Sequence, residues 1–226
     1  MLTAIIVAAG SSRRMGFDKM FAPLAGKSVI EHTVDAFERA DSVNAILVVT
    51  RDDRRGDFEK QLRGRTKVQA VIAGGEHRQD SVRAGLQRLS ADAKYVAVHD
   101  AARPLITASQ IESVFARALE QGAAALVEPV IDTLKRGDKD LYVTGSIDRQ
   151  HVYAMQTPQI FARDILEEAY QAVVADKLQI TDEVSAVEYL GRKVALVPND
   201  DFNFKITYER DLRLAGFVLR ERAQRG

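Results

Sequence analysis

The sequence predicts an α/β protein: a mostly parallel β-sheet wrapped on both faces by helices, three layers in all, with a protruding β-hairpin arm. Three observations carry this. Short apolar runs of strand length alternate with longer amphipathic stretches along most of the 226 residues. The first and third runs end in glycine, as strands buried on both faces do when they enter a tight turn. The alternation breaks once, between Ile131 and Met155, where two polar strand-like pieces flank a turn.

Taken in order, Leu2 to Ala8 is the first strand. Ser28 can cap a helix whose Val29, Ile30, Val34 and Phe37 share one face. Ala45 to Val49 is a second strand, Asp53 to Arg63 a polar helix, and Val68 to Ala73 a third strand closed by Gly74 and Gly75. A helix over Ser81 to Leu89 leads to a fourth strand, Tyr95 to His99. A helix from Ser109 to Glu120 and a strand from Ala123 to Glu128 follow. In the arm, residues 131–155, D-T-L-K-R and L-Y-V-T-G-S-I flank Gly137-Asp138-Lys139-Asp140. These strands hold few large apolar residues and build no core of their own, so the arm either packs on a second subunit or is a solvated surface hairpin. Helices at Ile165 to Val174 and Asp182 to Tyr189, a strand at Val194 to Val197 and a helix from Tyr208 to Arg222 complete the chain. Without an internal repeat or linker, residues 1–226 read as one domain with the arm attached.

Composition narrows the function. Hydrophobic residues are 46% and charged residues 28% of the chain, ordinary for a folded domain. Lys plus Arg equals Asp plus Glu at 32 each, so the basic footprint of a nucleic-acid binder is missing. With no cysteine there is no disulfide, thiolate zinc site or Cys nucleophile, and a reducing cytoplasm is the expected compartment. M-L-T-A-I-I-V-A-A-G has no basic n-region and reads as a strand, not a signal peptide. No apolar run approaches the roughly 18 residues of a membrane span, so a soluble protein is expected. No G-x-S-x-G elbow is present, and four histidines without a partnered serine give no hydrolytic triad.

In open α/β sheets ligands bind beyond the carboxyl ends of the strands, which directs attention to the loops after Ala8, Ala73 and His99. Ala8-Ala9-Gly10-Ser11-Ser12-Arg13-Arg14-Met15-Gly16 is not a P-loop, because Met15 stands where its second glycine belongs. Gly26-Lys27-Ser28 fails as well, with Phe21 at the first glycine, and Ser12 and Met15 break the dinucleotide fingerprint. What remains is a turn of small residues, Ala8, Ala9 and Gly10, open to a flat base or ribose, followed by Arg13, Arg14 and Lys19. Backbone N–H groups in such a turn form an anion cradle, and the cations can neutralise phosphates. Gly74-Gly75-Glu76-His77-Arg78-Gln79-Asp80-Ser81 offers two more glycines and a hydroxyl for a base edge; alternatively, Asp80 or Ser81 caps the next helix. His99-Asp100-Ala101-Ala102-Arg103-Pro104 ends the fourth strand. There Asp100 can hold a magnesium ion that keeps its waters and takes phosphate oxygens, while His99 reads as a buried strand-end residue.

The A-A-G-S-S-R-R-M-G loop with its following lysine resembles the signature loop of nucleotidyltransferases that activate sugars and polyols. More narrowly, the chain is similar to the 2-C-methyl-D-erythritol 4-phosphate cytidylyltransferase family of the non-mevalonate isoprenoid pathway, with H-D-A-A-R-P the most specific block. The resemblance runs from about residue 4 to 217 and implies a Rossmann-like nucleotidyltransferase domain. It implies that Arg14 contacts the triphosphate, that Lys19 grips the α-phosphate, and that Lys205 in F-N-F-K-I-T acts in the transition state. Read alone, Lys205 is a solvent-facing residue of a short strand. Ala8, Ala9, Gly10, Gly75, Glu76, Ser81, Asp100 and Ala101 become the nucleotide-binding set, with Asp100 also the Mg²⁺ ligand. Glu76 stands where aspartate is frequent. Arg103, Thr133, Arg149, Thr157 and Thr181 become acceptor contacts, Thr133 and Arg149 reaching from the arm into a partner's site of a homodimer. Thr181 alone reads as a helix N-cap. The implied activity transfers CMP from CTP to 2-C-methyl-D-erythritol 4-phosphate. A cytidylyltransferase for another polyol phosphate, such as ribitol 5-phosphate, and a nucleotide-binding regulator without turnover are the alternatives.

Overall fold

A computed structural model describes residues 1–10 and 16–225. The elements run β1 (Leu2–Val7), β2 (Pro23–Leu24), β3 (Lys27–Ser28), α1 (Val29–Arg39), β4 (Val43–Thr50), α2 (Arg55–Gln61), β5 (Val68–Ala73) and α3 (Arg78–Leu86). They continue as β6 (Tyr95–Asp100), α4 (Ala108–Gln121), β7 (Ala123–Pro129), β8 (Leu134–Gly137), β9 (Val143–Ile147) and β10 (Tyr153–Ala162). The chain finishes with α5 (Arg163–Ala175), α6 (Glu183–Tyr189), β11 (Ala195–Pro198) and α7 (Glu209–Arg225). Single 3₁₀ turns lie at Lys19–Phe21 and Asp52–Arg54.

Seven strands form the central sheet in the order β11-β7-β10-β6-β1-β4-β5. All neighbours are parallel except β10, which runs antiparallel between β6 and β7. Side-chain alternation builds the layers. Leu2, Ala4 and Ile6 of β1 point to one face, covered by Val34 and Phe37 of α1, Phe58 of α2, Ile111 of α4 and Ala215 of α7. Ile5 faces the opposite side, with Val82 of α3, Leu166 of α5 and Val187 of α6. The expected α/β, three-layer, mostly parallel architecture is therefore what the chain adopts.

Three helix starts that bear on the sequence reading have a local cause. The Glu31 carboxylate accepts the Ser28 N–H at 2.8 Å and the Ser28 hydroxyl at 2.8 Å, which secures the first turn of α1. The helix expected from Ser81 begins earlier, at Arg78, because the Asp80 carboxylate accepts the His77 N–H at 3.0 Å; neither Asp80 nor Ser81 is the N-cap. At α6 the cap is Asp182, whose side chain accepts the Ser185 N–H at 3.0 Å, so Thr181 sits one residue outside it.

Two further readings are corrected. The polar stretch after the arm forms β10, an internal strand, and Tyr153 to Met155 pair with β7 as part of it rather than with the arm. Gln156, Thr157, Pro158 and Gln159 hide this strand in the sequence, because polar residues and proline argue against an internal strand. Lys205 lies in an extended segment outside any strand, tied down where the Ile206 N–H donates to Ala102 O at 2.8 Å. The arm hairpin itself is present as β8 and β9, a separate two-stranded sheet.

Candidate functional site

The chain leaves β1 for β4 and β5 on one side, then returns to lay β6 on the other side of β1. That reversal opens a crevice beyond the carboxyl ends of β1 and β6. A cavity of about 210 Å³ occupies it, lined by Ala8, Ala9 and Gly10 after β1, Gly75 and Glu76 after β5, Asp100 at the end of β6, Ala102 just beyond it, and by Lys19, Arg78, Ser81 and Lys205. A second cavity of about 850 Å³ adjoins it, with Arg103, Thr157, Thr181, Asp182, Arg192 and Lys193 among its lining residues. Arg78, Asp100 and Lys205 line both, so these three side chains form the wall between them.

Asp100 is the centre of that wall. Its Oδ1 accepts from Arg78 Nε at 3.1 Å and its Oδ2 from Lys205 Nζ at 2.9 Å, and Arg103 Nε stands 3.8 Å from Oδ2. Burial works against the Asp100 charge, but Arg78, Lys205 and Arg103 outweigh it and hold the carboxyl well below the usual carboxylate range. Arg78 spans two carboxylates. Beyond Asp100 it meets Glu183, which is 0% exposed, through Nη1 at 2.7 Å and Nη2 at 2.9 Å. The Tyr170 hydroxyl donates to the same Glu183 at 2.9 Å. Burial disfavours the Arg78 charge, yet Glu183 and Asp100 together push its pKa up. Arg103 is mostly buried, and that burial lowers its pKa despite Asp100. Its Nη1 donates to Asn203 O at 2.8 Å, while its Nε has no hydrogen-bond partner among the described residues.

Behind Asp100, burial depresses His99 to a pKa of about 3, so the ring is neutral. Its Nε2 lies 3.3 Å from Arg103 O, which sets that nitrogen as the donor. Nδ1 then accepts from the Thr157 hydroxyl at 3.0 Å, and Thr157 Oγ1 accepts the Asp100 N–H at 3.0 Å. His99 is thus a buried strand-end residue that helps fix the Asp100 backbone. Lys19 enters from the far side, its Nζ donating to Ile206 O at 2.8 Å. The 3₁₀ turn that carries it is capped by Asp18, and Asp18 pairs with Arg54.

The structure gathers most of the residues singled out from the sequence. Ala8, Ala9, Gly10, Lys19, Gly75, Glu76, Ser81, Asp100 and Lys205 line the smaller cavity, and Arg103, Thr157 and Thr181 the larger. Arg14 lies outside the described residues. Ala101 is fully buried and donates its N–H to Val7 O at 3.0 Å; Ala102 takes its place in the cavity wall. Ser81 is fully buried too, and its hydroxyl donates to His77 O at 3.3 Å on its own helix. The glycines before α3 serve packing: a Cβ on Gly74 would meet Ser81 Oγ at 2.5 Å, and one on Gly75 would meet Asp80 Cβ at 2.3 Å. Thr133 and Arg149 are exposed on the arm and line neither cavity. Lys205 is exposed, as its pattern alone suggests, while its ammonium meets Asp100 at 2.9 Å.

Sequence reasoning gave no role to Arg78, Glu183, Tyr170 or Gln159. Arg78 was visible inside the glycine block, and Glu183 inside I-T-D-E. Neither offers a linear sign that it will be buried against the other across 105 residues.

An α/β sheet with cations gathered on the Asp100 carboxylate at its switch point, between two joined cavities, is the arrangement of a nucleotidyltransferase-type site. Residues 2–221 match the family model of 2-C-methyl-D-erythritol 4-phosphate cytidylyltransferase. A relative of that name from Pelotomaculum thermopropionicum is 38% identical over 99% of this chain and 96% of its own. The crystal structure of the cytidylyltransferase of that name from Thermus thermophilus superposes with a TM-score of 0.82 at 31% identity, covering 97% of this chain and 100% of that one. A structure titled 4-diphosphocytidyl-2C-methyl-D-erythritol synthase, from Anaerococcus prevotii, gives a TM-score of 0.86 at 28% identity over 97% of this chain and 96% of that one. The chain belongs to the 2-C-methyl-D-erythritol 4-phosphate cytidylyltransferase family.

Proposed function

We propose that the protein transfers CMP from CTP to 2-C-methyl-D-erythritol 4-phosphate, releasing pyrophosphate and giving 4-diphosphocytidyl-2-C-methyl-D-erythritol. The observation that carries this is the wall of Arg78, Asp100 and Lys205 standing between a small cavity floored by Ala8, Ala9 and Gly10 and a larger one lined by Arg103, Arg192 and Lys193. Nucleotide on one side and acceptor phosphate on the other would meet at that wall.

The acceptor phosphate is anionic at neutral pH and needs no general base. Its oxygen forms a bond to the α-phosphorus of CTP while the bond from that phosphorus to the α,β-bridging oxygen breaks, and the electron pair leaves with pyrophosphate. The obstacle is bringing one anion onto another, so positioning and positive charge do the catalysis. Lys19 Nζ donates to the carbonyl of Ile206, the residue after Lys205, and Lys205 Nζ donates to Asp100, so both lysines line the smaller cavity. Both would therefore serve one phosphate there, with Arg14 assigned to the triphosphate by resemblance alone.

A divalent cation, Mg²⁺ foremost, fits this donor set. The protein's share of the ligands would be a single carboxylate, with phosphate oxygens and water completing the shell. Asp100 is the carboxylate that would hold it: Arg78 and Lys205 each take one oxygen, and further lone pairs remain. When bound, such an ion supplies positive charge to the phosphates.

The arm supports a homodimer. Ile131, Leu141, Tyr142 and Val143 leave large apolar side chains in solvent, Leu141 at 92% exposure, and a second copy would cover them. Thr133 and Arg149 would then serve the partner's larger cavity. No described helix is long and apolar enough to cross a membrane, and the cysteine-free composition suits a reducing cytoplasm.

The test is pyrophosphate release from CTP, Mg²⁺ and 2-C-methyl-D-erythritol 4-phosphate, repeated with ATP, GTP and UTP and with ribitol 5-phosphate. Turnover is expected with CTP and the methylerythritol acceptor. A preference for ribitol 5-phosphate, or no turnover with any pair, would overturn the assignment.

A further inference from the structure

The segment 199–207 carries Lys205 but belongs to no helix or strand; one backbone bond, from the Ile206 N–H to Ala102 O at 2.8 Å, ties it down just after the lysine. Ahead of the lysine, side-chain amides hold it. The Asn203 amide donates to Gln156 Oε1 at 2.9 Å and to Thr157 O at 2.9 Å. The Asn199 amide donates to the same Gln156 Oε1 at 3.2 Å. Gln156 Nε2 in turn donates to Glu128 Oε2 at 2.9 Å, which fixes which end of the glutamine amide faces the asparagines. Gln110 secures Asn199 from α4, with Nε2 donating to its Oδ1 at 2.6 Å. The centre of this network is dry: Gln156 is 3% exposed and Asn203 1%.

We propose that Gln156 is a positioning residue for Lys205. One amide oxygen on β10 is shared by two asparagines, two and six residues ahead of the lysine. It clamps the entry to the segment onto the strand that also carries Thr157, the support of Asp100. The cation and its carboxylate are thereby referred to the same strand. Of the amide groups in this network only Asn203 Oδ1 is buried without a partner among the described residues, and the shared bonds of the others favour one arrangement over its neighbours. The inference rests on the reading that Lys205 acts on the transferring phosphate.

Gln156 also lines the larger cavity, so direct contact with the acceptor is the competing role. Its amide argues against that, since both ends are engaged by Asn199, Asn203 and Glu128. Removing the shared acceptor leaves Asn203 bonded to Thr157 O and Asn199 bonded to Asp201 O, so the chain keeps its path while the clamp is lost.

The experiment is a double-mutant cycle of Gln156→Met and Lys205→Ala, with steady-state kinetics in CTP and 2-C-methyl-D-erythritol 4-phosphate. A misplacement of about 1 Å can cost about 10²-fold, and a loosened clamp is expected to lower kcat about tenfold with both KM values within about twofold. In the Lys205→Ala background the same change should cost less than about twofold, because the group it positions is gone. Losses that multiply independently, or an effect confined to the acceptor KM, overturn the clamp. A Lys205→Ala enzyme with the wild-type rate overturns the reading beneath it, and is told apart by that single variant. Should Gln156→Met fail to fold, Asn203→Ala removes the other half of the same bond and carries the same expectations.

Discussion

Replacing Glu183 by glutamine keeps its shape and removes its charge, and the structure gives the size of the consequence. Glu183 is fully buried and carries two Arg78 hydrogen bonds, at 2.7 and 2.9 Å, and one from Tyr170 at 2.9 Å. Truncating one partner of a buried ion pair costs about 3–5 kcal/mol, because the other charge is left uncompensated. Two features reduce that here. Arg78 keeps Asp100 at 3.1 Å, and its side chain is 26% exposed, so water and a second carboxylate share the burden. The glutamine oxygen also retains one acceptor. We expect Glu183→Gln to destabilise by about 2–3 kcal/mol, below most of that range because of these compensations. At this chain length one kcal/mol moves Tm by about 2–4 °C, so the melting temperature should fall by about 4–12 °C. Thermal melting followed by circular dichroism at pH 7 measures it, with Tyr170→Phe, which loses a single hydrogen bond of about 1 kcal/mol, as the milder control. A Glu183→Gln melting curve within about 2 °C of wild type would show that the Arg78 charge does not depend on Glu183.

Lys19→Ala should lower turnover by about 10²–10³, the typical cost of removing one group that stabilises developing charge, and a wild-type rate would remove Lys19 from the mechanism. Glu31 makes a pH-dependent contribution. Burial would raise its pKa, but hydrogen bonds from Ser28, Gln61 and Arg65 bring it down to about 2. A carboxylate depressed on folding adds stability above its unfolded pKa and loses it as pH falls through the folded value, so this share disappears from near pH 5 down to about 2. Glu31→Gln should therefore melt below wild type at pH 7, with the gap closing at low pH; an equal gap at pH 7 and pH 3 would contradict the assignment. Chelation by EDTA should abolish pyrophosphate release and added Mg²⁺ restore it, with undiminished turnover in EDTA as the contrary result.

Much of the fold was legible because strands buried on both faces leave a plain signature. The apolar runs of β1, β4, β5 and β6 needed only boundary adjustments. β10 was illegible for a physical reason: Gln156, Thr157 and Gln159 are buried polar residues satisfied by partners distant in the chain, so local hydropathy points the wrong way. The site divides along the same line. Gly10 just past β1 and Asp100 at the end of β6 were found by their position, and Lys19 by the loop it follows. Ser81, expected to read a base edge, is spent within α3, since α3 starts earlier than its apolar pattern suggests. The Arg78–Glu183 pair joins residues 105 apart, and a pairing of that kind exists only once the sheet has brought α3 and α6 together.

The antiparallel placement of β10 has a consequence for the arm. Pro129 and Tyr153 face each other across the β7–β10 ladder, and the Val130 N–H donates to Val152 O at 3.1 Å, so the excursion begins and ends at a closed stem. Whatever lies beyond that stem can lengthen, shorten or change its composition without shifting a single pairing in the sheet. The sheet and the projecting hairpin are thus separable as folded units, and a change in the hairpin's length leaves the strand register beneath it as it was.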